Sequence, residues 1–160
     1  ALLVFILLNC GAAGSGALFR PGKWYEGLRK PSWTPPNWLF GPAWSVLYAA
    51  SAAAGYMVWL SADGAALVVP LALYMLQLGL NAAWSGIFFG MRRLDLAFAE
   101  LILLWLAILA TIVAFWTVRV DAALLLVPYL AWVTFAGALN FAVWRLNAGR
   151  ELGGAAPGPR

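Results

Sequence analysis

The sequence predicts an all-α integral membrane protein, a bundle of five transmembrane helices with a structured Trp/Pro-rich first loop. Three observations predict it. Of 160 residues, 64% are hydrophobic and 10% charged, against roughly half and about a quarter in soluble domains. A soluble fold this small has too little interior to hide that apolar surface. The apolar residues also fall into stretches of membrane-span length, joined by short connections. Finally, the basic residues are sorted by side. With five spans, Arg20, Lys23, Arg29, Lys30, Arg92, Arg93, Arg145, Arg150 and Arg160 share the side of the C-terminus, and only Arg119 lies opposite. By the positive-inside rule, the first loop and the C-terminus face the cytoplasm.

The first span covers residues 1–19. No basic region precedes it, and Ser15-Gly16-Ala17 is a weak cleavage-like site, so it reads as a membrane helix rather than a signal peptide. Arg20-Pro21-Gly22 ends it. Residues 20–41 form the first loop, and the stretch from Trp24 to Trp44 holds four of the ten tryptophans and four of the nine prolines. Lys30-Pro31 and Thr34-Pro35-Pro36 impose extended or turn backbone, and Lys23 to Leu28 suits one short interfacial helical turn. The second span is expected at 42–60 and the third at 66–90, with Pro70 near its first turn. The fourth is expected at 94–118. The fifth, at 122–146, should kink at Pro128. The connections Ser61–Ala65, Met91–Arg93 and Arg119–Asp121 make successive spans antiparallel. Residues 1–150 read as one domain, and the Gly/Pro-rich 151–160 as a flexible tail. No internal repeat supports an inverted-repeat transporter.

Composition excludes several chemistries. With no histidine and one cysteine, Cys10, there is no intrachain disulfide, His-ligated zinc or His-based triad. No metal site and no required cofactor are expected. No basic helix or RNA-type motif points to nucleic acid. Glu100 is the only acid inside a predicted span. Snorkelling, or pairing with Arg92 or Arg93, is favoured over a proton relay, which would need a second buried acid.

The polar and aromatic residues inside the spans mark a candidate cavity. Gln77, Asn81, Trp84 and Phe88 share one face of the third helix. An amide in hydrocarbon points into the bundle, either as an interhelical hydrogen bond or as a cavity wall. Tyr129, Trp132, Ala136, Leu139 and Asn140 form one broad face of the fifth helix, and Trp44, Tyr48 and Ser51 one face of the second. Trp24, Trp33, Trp38, Trp144, Trp59 and Trp116 suit the interfacial aromatic belt, whereas Trp84 and Trp132 fall too deep for it. Trp105 is central and reads as lipid-facing. Gly79, Ala83, Gly86 and Gly90 make a small-residue stripe with a GxxxG motif, a candidate homodimer contact.

Trp24-Tyr25, Lys30-Pro31-Ser32-Trp33-Thr34-Pro35-Pro36 and Trp44 together resemble the first loop of the translocator protein and tryptophan-rich sensory protein (TspO) family, formerly the peripheral benzodiazepine receptor. The order continues with Asn81, Trp84 and Phe88-Phe89-Gly90, then Pro128-Tyr129-Leu130-Ala131-Trp132, Leu139-Asn140 and Trp144-Arg145. The resemblance spans nearly the whole chain. It implies five transmembrane helices, frequently a homodimer, and a pocket inside the bundle capped by the first loop. It implies porphyrin ligands such as protoporphyrin IX and haem, cholesterol in some members, and synthetic isoquinoline and benzodiazepine ligands. The matching pocket positions are Trp44, Tyr48, Asn81, Trp84, Phe88, Trp132, Ala136 and Leu139, joined by Tyr25 and Trp38. The function so implied is tetrapyrrole transport, sensing or regulation. The alternatives are light-dependent protoporphyrin degradation through Trp44 and Trp132, sterol binding, or a purely structural role. Phe141 and Ala142 stand where the animal sterol-recognition segment carries a tyrosine, which points to a bacterial member. The location implied is the cell membrane or, in a Gram-negative host, the outer membrane.

Overall fold

A computed structural model describes residues 1–19 and 21–151. Arg20 and the part of the expected tail beyond Glu151 lie outside the described residues. Among the described residues, seven α-helices and one π-helical turn follow in order. Helix α1 spans Leu2–Leu18, α2 Lys23–Glu26, α3 Asn37–Trp59 and α4 Ala65–Ser85. The π turn is Gly86–Gly90. Then come α5 at Leu94–Val118, α6 at Val120–Leu125 and α7 at Val127–Glu151. No strand occurs among the described residues.

The protein is an all-α integral membrane bundle. Ala65–Gly90, Leu94–Val118 and Val120–Gly149 are each long and apolar enough to cross a membrane on their own. Helix α1 is apolar but only 17 residues long. Helix α3 is long enough at 23 residues but dilutes its apolar content with Gly, Ser and Pro. The most extensive packing is between α4 and α5; α5 also packs on α7, and α1 against α3 and α4.

Three details go beyond expectation, each for a local reason. Helix α3 starts at Asn37, not at 42, because Pro36 is the last extended residue (ψ 146°). Pro42 therefore falls inside the helix, where it removes the backbone bond that an N–H there would have made to Trp38 O. The loop is correspondingly shorter. The fifth span runs Val120–Gly149 and is interrupted just ahead of Pro128, as expected there. Helix α6 closes at Leu126, and α7 restarts with Pro128 as its second residue. There the missing proline N–H falls among the helix's unpaired first donors. The third span ends in π geometry over Gly-Ile-Phe-Phe-Gly, with Met91 N donating to Gly86 O at 2.8 Å.

At the end of the bundle remote from the first loop, Phe5, Gly55 and Tyr74 pack where α1, α3 and α4 meet. A Cβ on Gly55 would stand 2.7 Å from Phe5 and 2.9 Å from Tyr74. The Tyr74 hydroxyl donates to Ser51 O at 3.0 Å and accepts from Asn9 Nδ2 at 2.7 Å. Asn9 and Tyr74 are both buried, so each supplies a partner that lipid cannot.

Gly55→Ala should therefore destabilise the bundle by about 1–3 kcal/mol through overpacking. Gly11→Ala, where a Cβ meets nothing within 4 Å, should be neutral. Thermal unfolding in detergent compares the two. Equal behaviour would show that the close approach at Gly55 is not a constraint.

Candidate functional site

The centre of the site is Asn81, buried on α4. Its Oδ1 accepts a hydrogen bond from the Tyr48 hydroxyl on α3. Its Nδ2 donates to the Tyr129 hydroxyl on α7 at 2.6 Å. One amide thus ties three helices at one level. One turn further toward the loop, Trp84 Nε1 donates to Asn140 Oδ1 at 3.2 Å, and Asn140 Nδ2 donates to Leu94 O at 3.0 Å. That pair fastens α4, α7 and the start of α5. Asn81 is both the interhelical bond and a cavity wall, the two roles its sequence position left open.

Two chambers meet at this level. The larger, about 720 Å³, lies among α1, α3 and α4 and reaches Asn81, Leu101, Leu104, Val133 and Ala136. The smaller, about 110 Å³, lies under the first loop and is walled by aromatic rings, including Tyr25, Phe40, Trp44, Phe88 and Trp132. Trp44, Trp84, Ser85 and Ala136 line both. Trp44 stands edge-on to Trp132 at 6.3 Å and to Tyr129 at 6.1 Å between ring centroids. Phe40 meets Trp132 at 5.9 Å. The buried Trp132 Nε1 has no hydrogen-bond partner among the described residues.

The loop closes this smaller chamber through several contacts. Tyr25 on α2 is buried against Phe88 (6.1 Å) and Phe89 (5.6 Å). Burial pushes its hydroxyl pKa up, so Tyr25 stays neutral across physiological pH. Lys30 Nζ sits 4.5 Å over the Tyr25 ring, and Trp33 meets Phe135 on α7 at 5.8 Å. Asn147 fastens the loop most directly. Its Oδ1 accepts from Arg29 N at 3.0 Å and its Nδ2 donates to Arg29 O at 2.8 Å. At the neighbouring connection Arg92 holds φ at +55°, left-handed backbone that costs a non-glycine residue energy. Its guanidinium lies 5.9 Å over Trp24.

Of the expected site residues, Trp44, Tyr48, Asn81, Trp84, Phe88, Trp132, Ala136, Leu139 and Tyr25 all line one chamber or the other. Trp38 does not. It is 72% exposed in the first turn of α3. Six residues at about 100° each put it far around the helix from Trp44, an angle fixed once α3 begins at Asn37. Glu100 neither snorkels nor pairs with the arginines. It is buried with no hydrogen-bond partner among the described residues, while Arg93 pairs with Asp95 at 2.7 Å. Trp105 does not simply face lipid, because its Nε1 donates to Thr134 Oγ1 at 2.8 Å. Of the small-residue stripe, Gly90 is exposed but has Phe19 of the same chain 2.9 Å from a Cβ placed there, and Gly86 faces the same ring at 3.6 Å. Gly79 and Ala83 are also exposed.

Sequence reasoning missed Phe40, Phe89 and Val143 as chamber walls and Asn147 as the fastening of the loop. A signal for Asn147 was present. It lies seven residues after Asn140, two turns on, so the two amides share one face of α7.

The TspO/MBR family profile matches residues 2–145. "Protein CrtK" of Rhodobacter capsulatus is 47% identical over 152 residues, 94% of this chain and 95% of that protein. The "Translocator protein" of Homo sapiens is 50% identical over 129 residues, 79% of this chain and 76% of that protein. The "Tryptophan-rich sensory protein" of Cereibacter sphaeroides is 44% identical over 152 residues, 94% of each chain.

Asn81→Ala should lower stability by about 1–3 kcal/mol for each hydroxyl left unpaired. The triple variant Tyr48→Phe/Asn81→Leu/Tyr129→Phe should recover much of that loss, because it removes both ends of each bond. Thermal unfolding measures both. A triple variant no more stable than Asn81→Ala would show that packing, not polar satisfaction, holds this level.

Proposed function

The chain belongs to the TspO/MBR family, and on that premise we propose that it binds porphyrins such as protoporphyrin IX or haem. The chamber under the first loop would hold the ring, and the role would be tetrapyrrole transport, sensing or regulation. The observation that carries this reading is the wall of that chamber, with Tyr25, Phe40, Trp44, Phe88 and Trp132 around one space. A porphyrin is a wide, flat, largely apolar ring, and aromatic side chains offer it stacked and edge contacts. At about 110 Å³ the chamber is smaller than the usual range of roughly 300–1,000 Å³. Binding therefore requires the loop to lift or the ring to extend past Trp44 into the larger chamber. The ring's two carboxylates would point outward. No charged side chain of the described residues lines either chamber, and Lys30, whose ammonium lies over the Tyr25 ring, would meet the carboxylates at the mouth together with Arg29. Flat isoquinoline and benzodiazepine ligands would use the same walls. Phe141, exposed on α7, leaves the sterol segment without its hydroxyl, which weighs against cholesterol.

A second reading is supported by one contact, the edge-on pair of Trp44 and Trp132. Two indoles beside a bound porphyrin are suited to electron transfer or indole oxidation under light, which would make the protein a porphyrin-degrading enzyme. Further parts of the proposal are a homodimer, for which Gly79, Ala83 and Gly90 are exposed on the stripe, and a cytoplasmic first loop.

Protoporphyrin IX should quench the tryptophan fluorescence saturably. Ala136→Phe, which fills space common to both chambers, should weaken that binding about tenfold or more with helix content unchanged. No saturable quenching of the native protein would sink the binding reading. Under illumination, Trp132→Phe should bind as before but lose any accelerated bleaching of the porphyrin. If the native protein bleaches no faster than free solution, the enzyme reading falls. In a Cys10→Ala background, a cysteine at the exposed Ser32 should react with impermeant maleimide only from the cytoplasmic side. Labelling from outside would invert the topology.

A further inference from the structure

We propose that the larger chamber is a lipid-chain site, a slot open to the bilayer between α1 and α3 that takes one acyl chain of a phospholipid. It concerns a different ligand from the porphyrin reading and does not rest on it, although the two chambers share the walls Trp44, Trp84, Ser85 and Ala136. One wall carries Ile6, Cys10 and Ala13 of α1, and the other Ser45, Ala49 and Ala53 of α3. Ile6, Cys10, Ser45 and Ala49 are exposed, so the slot opens sideways through the face of the bundle. The small side chains at Cys10, Ala13, Ser45, Ala49 and Ala53 keep the two helices from sealing against each other there.

Depth and polarity choose the occupant. The lining runs from Leu2 to Ala17 along α1, about 22 Å at 1.5 Å per residue, most of a hydrocarbon core of about 30 Å. What bathes the opening is therefore lipid chain. Among the described residues no charged side chain lines the slot, so a carboxylate or phosphate entering it would find no counter-charge there. The polar groups at its inner end are largely committed. Tyr48 donates to Asn81, Asn81 donates to Tyr129, and Asn9 Nδ2 donates to Phe5 O and Tyr74. A space of about 720 Å³ far exceeds the packing voids of a protein interior, and its walls gain dispersion contacts only when something apolar fills it. A chain inserted from one leaflet meets all of these conditions with its headgroup left at the interface. Its tip would reach Trp84 and Ala136, which also line the chamber under the loop, so the chain limits how far a ligand there can extend.

The test uses the full chain in phosphatidylcholine vesicles containing a phosphatidylcholine with a diazirine near the end of its acyl chain. After irradiation, adducts are mapped by peptide sequencing. Adducts are expected on the interior residues Leu104 and Asn81, as well as on the outward-facing Leu3, Leu7 and Val46. Ala49→Leu and Cys10→Phe add bulk at the opening from opposite walls. Each should cut interior adducts about tenfold relative to outward ones. Thermal unfolding run alongside identifies a variant that has not folded, and the native map stands without either variant. Adducts confined to outward-facing residues of the native protein would overturn the proposal. So would interior adducts that survive both substitutions in folded protein.

Discussion

Asn81 accepts from Tyr48 and donates to Tyr129, and the arrangement of three helices hangs on that exchange. In a bilayer a buried amide has no water to fall back on, so its partners must come from neighbouring helices. Satisfying one amide from α3 and α7 together holds those helices at a common level against α4. The same logic recurs toward both ends. Asn9, Tyr74 and Ser51 join α1, α3 and α4, and Trp84 and Asn140 join α4, α7 and the start of α5. Between these polar levels the helices touch through apolar side chains, which discriminate poorly against lipid. The polar levels thus give the bundle its specific geometry, and the cavities lie where small or aromatic residues leave space between them.

The two chambers are walled by different chemistry because they face different surroundings. The larger opens toward lipid and is walled at its opening by small residues of α1 and α3. The smaller lies beneath the first loop and is walled by rings. The loop is not loosely draped over it. Asn147 binds both backbone polar groups of Arg29, Tyr25 is sunk among Phe88 and Phe89, and the prolines limit the conformations available between these anchors. A ligand entering from the loop side must break those contacts, whereas one entering from the bilayer meets an opening that already exists. The shared walls Trp44, Trp84, Ser85 and Ala136 couple the two spaces, since whatever lies against them from one side sets the room on the other.

Much of this was legible in the sequence, for identifiable reasons. Leu94–Val118 was readable to the residue because Arg92, Arg93 and Arg119 bracket a long, predominantly apolar run. The faces joining Asn81 to Trp84 and Trp132 to Ala136 followed from helical spacing alone. What could not be read was which residue meets which across the bundle. Asn9 with Tyr74 and Arg29 with Asn147 are pairings separated by 65 and 118 positions, and spacing carries no information about them. Trp38 was misplaced by the same limit at shorter range. Its direction depends on where α3 begins, and the proline pair ahead of it allowed more than one start. Glu100 failed differently. An acid near arginines suggested an ion pair, but Asp95 lies closer to Arg93 and takes that role.

The central claim is that the ring-walled space under the first loop, between Trp44 and Trp132, is where a porphyrin sits. Crystals of the protein with zinc protoporphyrin IX test it directly, because anomalous scattering from the zinc locates the ring without reference to the protein density. The account places the zinc inside the bundle, among Phe40, Trp44, Trp132 and Leu139. A zinc peak on the outer surface of the helices, or between two copies of the chain, would contradict it.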